Sequence, residues 1–151
     1  RFEVINQNNR TVIIDYAHTP SAIKEVIKYA QNKYEKVNVI LGAGGDRDKG
    51  KRMKMGEASS NADYVIITND NPRNEDPLEI SKNILEGIPL NKKSDVILDR
   101  KEAIHKGVQL LKENEVLLVL GKGHEKYQEI NNKFIPFDDV QITKEIMELE
   151  N

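Results

Sequence analysis

Cysteine is absent from the sequence, and its absence excludes a disulfide framework, a thiolate metal site and a cysteine nucleophile. No apolar run approaches the roughly 18 residues that a membrane-spanning helix needs. The first residues, "RFEVINQNN", also lack the apolar core of a signal peptide. We therefore expect a soluble, cytoplasmic domain without a membrane partner.

A marked excess of either charge is also lacking. Lys and Arg number 23 against 25 Asp and Glu, which gives a formal net charge of -2. Such a chain has no long-range field that would favour nucleic acid or an anionic membrane. Any anion-binding site must therefore be local.

The length of 151 residues fits a single domain and makes a separate second domain unexpected. The sequence starts at Arg1 without Met and directly beside an apolar residue. From this start we expect the chain to be a piece of a longer protein.

Short β-branched runs predict strands at "TVIID" (11–15), "VNVILG" (37–42), "DYVIIT" (63–68), "DVILD" (95–99) and "EVLLVLG" (115–121). Several are apolar continuously, as in strands covered on both faces. Between them, apolar residues recur with a helical period, as at Ile23, Val26, Ile27 and Ala30. This alternation predicts a three-layer α/β domain with a mostly parallel sheet of about six strands.

Two segments predict hairpins. "FEVIN" (2–6) and "TVIID" are separated only by "QNNR", which indicates an antiparallel edge strand. Near the end, "KYQEINNKFIPFDD" (126–139) predicts a C-terminal hairpin around Asn131 and Asn132. A last helix should follow it, with Ile142, Ile146 and Leu149 on its buried side.

Charged, glycine-rich and histidine-containing loops follow four of the predicted strands. They are "DYAHTP" (15–20), "AGGDRDKGKR" (43–52), "NDNPRNEDP" (69–77) and "GKGHEKYQ" (121–128). Ligands of such sheets bind beyond the carboxyl ends of the parallel strands, so these loops should meet at one edge.

Each loop also has a purely structural interpretation. Thr19 and Pro20 fit the cap and first turn of a helix, and His18 alone is at least as often structural as functional. "AGGDRDKGKR" fits a solvated turn. "GKGHE" is not a Walker loop, because no G-x-x-x-x-G-K-[ST] occurs in the chain, and the three His have no spacing typical of a zinc site.

Taken together, the loops carry complementary charges. Arg47 and Arg73 are forked donors suited to carboxylates, while Asp70 and Glu125 can accept from an ammonium group. These residue types predict a pocket for a zwitterionic amino acid, with two acidic groups if both Arg side chains face the ligand.

The motifs "RFEV" (1–4), "DYAHTP" (15–20), "GAGGDRDKGKR" (42–52), "DNPRNEDP" (70–77) and "GKGHE" (121–125) span almost the whole chain in order. With them the sequence resembles the C-terminal domain of the Mur ligases, and "DNPR" with "GKGHE" resembles the MurE-type branch. The resemblance implies a Rossmann-like domain of an ATP-dependent ligase of bacterial peptidoglycan synthesis. Two further domains, one for the UDP-sugar and one for ATP, would lie upstream of this chain.

The resemblance also implies roles for individual residues. An amino-acid site for meso-diaminopimelate would use Arg47, Asp70, Asn71, Pro72, Arg73, Gly121 and Glu125. Contacts with ATP would come from Arg1, Asp15 and His18. ATP and Mg²⁺ would be held mainly by the central domain, so no metal ligand and no catalytic residue is expected in this chain, which should be monomeric and inactive alone.

In the implied reaction, ATP converts the D-glutamate γ-carboxylate of UDP-MurNAc-L-Ala-D-Glu to an acyl phosphate, which the incoming amine attacks. Diaminopimelate is lysine with a second carboxylate on its far end, so Arg73, placed on an exposed loop rim with Asn71 beside it, would discriminate between the two. Lanthionine keeps both carboxylates and would not be rejected. The alternatives are a free-standing amino-acid or nucleotide-binding module and a related ligase for another amino acid.

Overall fold

The computed structural model describes residues 2–149, which contain eight strands and five helices. Arg1 lies outside this range. The strands are β1 (Phe2–Gln7), β2 (Arg10–Asp15), β3 (Lys36–Leu41), β4 (Tyr64–Ile67), β5 (Ser94–Val96), β6 (Glu115–Leu120), β7 (Tyr127–Ile130) and β8 (Lys133–Pro136). The helices are α1 (Pro20–Gln31), α2 (Gly50–Ser59), α3 (Pro77–Leu85), α4 (Arg100–Gln109) and α5 (Asp139–Leu149).

Six strands form one sheet in the order β1-β2-β6-β3-β4-β5. β1 runs antiparallel to β2, and all other neighbours in this sheet are parallel. β7 and β8 form a separate antiparallel hairpin. The predicted α/β fold, with an antiparallel edge and a C-terminal hairpin, is confirmed.

Helices cover both faces of the sheet. On one face α1, α2 and α3 form an apolar core with the strands, in which Ile27 and Ile84 pack with Val39. On the other face α4 and α5 form a second core, in which Val108 packs with Ile40. Successive strand residues point to opposite faces, so two covered faces require the continuous apolar runs seen in the sequence.

The last helix buries a different set of residues from the predicted one. Ile146 is buried and Ile142 partly buried, but Leu149 is exposed and Met147 lies in the core instead. The helical period identifies the buried side of a helix, but not the point at which the helix extends past the element beneath it.

Both hairpins turn through pairs of asparagines. Asn8 and Asn9 have φ of 55° and 62°, and Asn131 and Asn132 have φ of 49° and 63°. Two successive residues with positive φ are typical of a type I′ turn, which Asn tolerates better than most residues. Both predicted hairpins are therefore confirmed, and each turns at a pair of asparagines.

Helix α2 begins inside the segment that was predicted to be a loop. The loop after β3 ends at Lys49, and Arg52 belongs to the first turn of α2 rather than to the loop. Only a few apolar residues, including the buried Met55 and Ala58, mark the inner side of this helix. The sparse pattern explains why periodicity did not reveal it.

The connections lie at two opposite sides of the sheet, one at the carboxyl ends and one at the amino ends of the parallel strands. The loops after β2, β3, β4 and β6 leave the carboxyl ends of parallel strands and lie at one edge. The connection that enters β5 lies at the opposite edge and carries Leu90, whose side chain is fully exposed. No helix within residues 2–149 has the length and apolar character needed to cross a membrane.

Candidate functional site

A cleft of about 380 Å³ lies at the carboxyl edge of the parallel strands. The loops after β2, β3, β4 and β6, together with the first turns of α2, line it. Its volume is that of a site for a small molecule. The four loops singled out in the sequence therefore meet around one cavity.

Six of the seven residues predicted for an amino-acid site line this cleft: Arg47, Asp70, Asn71, Arg73, Gly121 and Glu125. Pro72 does not line it. Pro72 is buried behind the cleft, where its carbonyl oxygen accepts from the backbone N–H of Glu75 at 3.0 Å. A methyl group on Gly45 would overlap that carbonyl oxygen, so the loops after β3 and β4 pack backbone against backbone here.

The residues predicted to contact ATP are not brought together within the described part of the chain. His18 is exposed and lines the cleft, and its Nδ1 donates to the carbonyl oxygen of Tyr16 at 3.0 Å. Asp15 lies in a separate depression beside Phe2 and Tyr29, with Oδ2 accepting from the N–H of Ala17 at 3.0 Å. Arg1 is outside the described residues.

Lys122, next to the cleft, is one residue that the sequence does not predict to belong to the site. Its side chain is fully buried, and its Nζ donates to Asn71 Oδ1 at 3.0 Å, Glu125 Oε1 at 3.2 Å and Asp70 Oδ1 at 3.4 Å. Its signal in the sequence is its place between Gly121 and Gly123, in the loop directly after β6. Lys122 instead joins the loop after β6 to the loop after β4.

The two acceptor carboxylates share this one buried ammonium group. Burial raises the pKa of Asp70, while Arg100 and Lys122 favour its ionised form. Asp70 Oδ2 has no hydrogen-bond partner within residues 2–149 and lies beside Gly121 at the cleft. Lys122 thus contacts both Asp70 and Glu125, and Asp70 Oδ2 stays available as an acceptor at the cleft.

Arg73 is held from two sides. Its Nε donates to Glu129 Oε1 at 3.0 Å, and its Nη1 donates to the carbonyl oxygen of Gly45 at 3.0 Å. Only 17% of its side chain is exposed, so the prediction of an exposed loop rim is wrong. The hairpin β7–β8 packs against this loop and covers Arg73, a contact between segments that lie far apart in sequence.

Arg47 reaches the cleft from the adjacent loop, after β3, and is exposed. Its Nη1 donates to the carbonyl oxygen of Asp46 at 3.1 Å, and no described carboxylate forms a salt bridge with it. A Cβ atom on Gly44 would lie 2.8 Å from Arg73 Nη1 and 3.4 Å from Arg47 Cγ. The bare backbone of Gly44 thus lets both arginine side chains pass close to one point.

Arg52 and Glu75 form a bidentate ion pair at the floor of the cleft. The N–O distances are 2.7 and 2.9 Å, and Arg52 also donates to the carbonyl oxygen of Gly44 at 3.0 Å. The hydrogen bonds from Arg52 lower the pKa of Glu75 to about 2. The sequence did not predict this pair. It connects α2 to the loop after β3, which carries Arg47, and to the loop after β4, which carries Arg73.

A fully buried ion pair lies next to the site. Arg100, at the start of α4, donates to Asp139 Oδ1 at 2.8 Å and Oδ2 at 2.7 Å. It also donates to the backbone carbonyls of Asn69 and Leu120 at 3.1 and 3.2 Å. Arg100 therefore connects the ends of β4 and β6 just before the loops that line the cleft.

Residues 2–149 contain no group of three or more His, Asp or Glu side chains arranged to hold a metal ion. The chain also lacks a Walker sequence, as noted above. Residues 2–149 thus give no local support for a protein-built metal cage, and the sequence has no Walker-type phosphate loop. The cleft does bring together the guanidinium groups of Arg47 and Arg73 and the carboxylates of Asp70 and Glu125.

A family profile described as "Mur ligase, glutamate ligase domain" matches residues 1–123. The chain is 46% identical over 149 residues to the UDP-N-acetylmuramoyl-L-alanyl-D-glutamate--2,6-diaminopimelate ligase of Aquifex aeolicus (strain VF5), covering 97% of this chain and 31% of that protein. It is 44% identical over 148 residues to the protein of the same name from Rickettsia montanensis, covering 94% and 30%.

A solved structure of a UDP-N-acetylmuramoyl-L-alanyl-D-glutamate--2,6-diaminopimelate ligase superposes with a TM-score of 0.95 at 38% identity. The match covers 99% of this chain and 31% of the solved one. The chain thus spans about a third of the length of the relatives that it matches.

Proposed function

The chain belongs to the Mur ligase family, and on this basis we propose that it is the amino-acid-binding C-terminal domain of an ATP-dependent ligase. The ligase would add meso-diaminopimelate, or a close analogue such as lanthionine, to UDP-MurNAc-L-Ala-D-Glu in peptidoglycan synthesis. The names of the relatives from Aquifex aeolicus and Rickettsia montanensis support this substrate. Domains for the UDP-sugar and for ATP would lie outside this chain.

The observation that carries the proposal is the arrangement of charges around the cleft. Arg47 and Arg73 enter from neighbouring loops, and Asp70 with Glu125 shares the single ammonium group of Lys122. A ligand that brings carboxylates to the arginines and an ammonium group to Asp70 would complete the charge balance. Diaminopimelate has these groups at both ends.

The work of this chain would be to hold and orient the amino acid. Asp70 and Glu125 would accept from its ammonium groups, and the planar guanidinium groups would grip its carboxylates from fixed directions. No side chain of the described cleft needs to form a covalent bond. The domain would therefore contribute positioning and charge complementarity to amide formation.

We assign the binding of ATP and Mg²⁺ mainly to the part of the protein outside this chain, because the sequence contains no Walker phosphate loop. Asp15 and His18 remain candidates for contacts with the ATP bound there. Neither lies within a Walker-type phosphate loop, because the sequence contains none. The domain alone is expected to be inactive and monomeric.

Amino-acid-dependent phosphate release by the full-length protein tests the proposal. With ATP and UDP-MurNAc-L-Ala-D-Glu present, diaminopimelate and lanthionine should stimulate release, and lysine should do so much less. A preference for lysine would contradict the role of Arg73 and point to a related ligase. No release with any amino acid, combined with tight amino-acid binding by the protein, would indicate a binding module instead.

A further inference from the structure

The hairpin β7–β8 is hydrogen-bonded to the loop after β4, which carries Arg73. Arg73 has φ of 53°, a left-handed conformation that residues with a Cβ atom adopt at a cost of about 1 to 2 kcal/mol. Its N–H donates to the carbonyl oxygen of Glu129 at 2.9 Å, and its carbonyl oxygen accepts from the N–H of Asn131 at 2.9 Å. Two backbone hydrogen bonds with the hairpin thus offset this strain.

Glu129 also contacts Asn71, a second residue of the loop after β4. The N–H of Glu129 donates to Asn71 Oδ1 at 2.9 Å, and the same oxygen accepts from Lys122. Asn71 Nδ2 in turn donates to Glu125 Oε1 at 3.3 Å. One residue of β7 therefore contacts both Asn71 and Arg73, which are the two residues expected to discriminate between amino acids.

The side chain of Glu129 fixes the orientation of the guanidinium group. It receives the Nε–H of Arg73, while Gly45 receives Nη1–H, and within residues 2–149 Nη2 has no partner. Glu129 itself does not line the cleft, whereas Arg73 does. The Glu129 side chain contacts Arg73, so its effect on a ligand must pass through Arg73.

We propose that Glu129 is a positioning residue for amino-acid specificity, because it locks Arg73 so that the Nη2 edge is presented to the far carboxylate of the ligand. The proposal rests on the function proposed above. A guanidinium group held in one orientation loses less conformational entropy when it binds a carboxylate. Without Glu129, Arg73 would keep its charge but lose its fixed direction.

The test compares Glu129→Ala and Glu129→Gln in the full-length protein. Glu129→Ala should raise KM for diaminopimelate about 10-fold with kcat changed less than about twofold, because a ground-state contact is weakened. Glu129→Gln keeps an oxygen within reach of Nε and should return KM to within about threefold of the wild-type value. Lys133→Ala on the same hairpin and Glu113→Gln, which makes the same charge change on an exposed residue, are the controls.

The outcomes separate positioning from other roles. An unchanged KM in Glu129→Ala overturns the proposal, and a lower KM in both variants means that Glu129 competes with the ligand for Arg73. A purely structural role would reduce the fraction of folded enzyme and hence kcat, not KM. If the wild-type protein does not use diaminopimelate, the proposed function fails, and that result is seen before any variant is compared.

A second measurement does not depend on the substrate. In ¹⁵N-labelled protein, NMR relaxation at Arg73 Nε should show a restrained group in the wild type and in Glu129→Gln, and a mobile one in Glu129→Ala. Equal mobility in the wild type and Glu129→Ala would overturn the positioning role even if the amino acid proved to be a different one.

Discussion

The Nζ atom of Lys122, which is fully buried, lies 3.4 Å from Oδ1 of Asp70, which lines the cleft. Lys122 is the more deeply buried of the two, with none of its surface exposed. Removing it would leave two carboxylates, Asp70 and Glu125, without their shared cation. The pair therefore has consequences for stability as well as for binding.

Lys122→Met should lower the free energy of unfolding by about 3 kcal/mol at pH 7, because an uncompensated buried charge remains. Adding Asp70→Asn should recover part of that loss. Urea unfolding measures both effects, and Lys133→Met on the exposed β8 strand should change stability by less than about 0.5 kcal/mol. A Lys122→Met variant as stable as the wild type would show that the buried ion pairs do not support the fold.

Arg73→Ala should raise KM for diaminopimelate about 100-fold, which corresponds to about 2.7 kcal/mol of lost binding to a carboxylate. The loss of stability should stay near 1 kcal/mol, because the pair with Glu129 is partly solvated. Arg73→Lys keeps the charge without the fork and should recover only part of the affinity. A large fall in the midpoint of thermal unfolding with no selective effect on diaminopimelate would assign Arg73 a structural role.

The pH dependence of stability should report the pair of Arg52 and Glu75. The folded-state pKa of Glu75, about 2, is below its ordinary value of 4.5, so the unfolded chain takes up the proton first as the pH falls. The stabilisation is therefore complete above about pH 4.5 and is lost as the pH falls toward 2.

Glu75→Gln should remove about 1 to 2 kcal/mol at pH 7, and its difference from the wild type should shrink between pH 4.5 and 2.5. Urea unfolding at several pH values measures this difference. Glu79→Gln is the control, because Glu79 is exposed and lies 3.8 Å from Lys82 in a surface pair. A difference that stays constant down to pH 2.5 would contradict the lowered pKa.

The buried pair of Arg100 and Asp139 should be strongly non-additive. Arg100→Met should cost about 3 to 5 kcal/mol of unfolding free energy, because Asp139 is left charged and enclosed. Combining it with Asp139→Leu should cost less than Arg100→Met alone. Additive losses in a double-mutant cycle by urea unfolding would show that the two side chains act independently.

Short stretches of sequence were enough to predict the buried strands and the hairpin turns. Continuous apolar runs such as Val39 to Leu41 identified strands covered on both faces, and Asn131 with Asn132 identified the turn of the C-terminal hairpin. The alternation of strands and helices also predicted which loops lie together at the carboxyl ends of the parallel strands. The residues lining the cleft could therefore be chosen from the sequence, although their roles toward a ligand remain predictions.

Partners that lie far apart in the chain could not be predicted in this way. Lys122 meets Asp70 across 52 residues, and Arg73 meets Glu129 across 56. Residue types show that a cation needs a partner, but only the packing of the loops decides which carboxylate it reaches. For the same reason Arg73 was expected to be exposed, although the hairpin covers it.

The connection into β5 lies on the side of the sheet away from the cleft, so it is a suitable place for a label. Leu90 is fully exposed on the connection into β5, at the edge away from the cleft, and the chain contains no cysteine. A single thiol introduced by Leu90→Cys would be unique within this chain. A fluorescent dye attached there would report on movement of the domain without touching the loops that line the cleft.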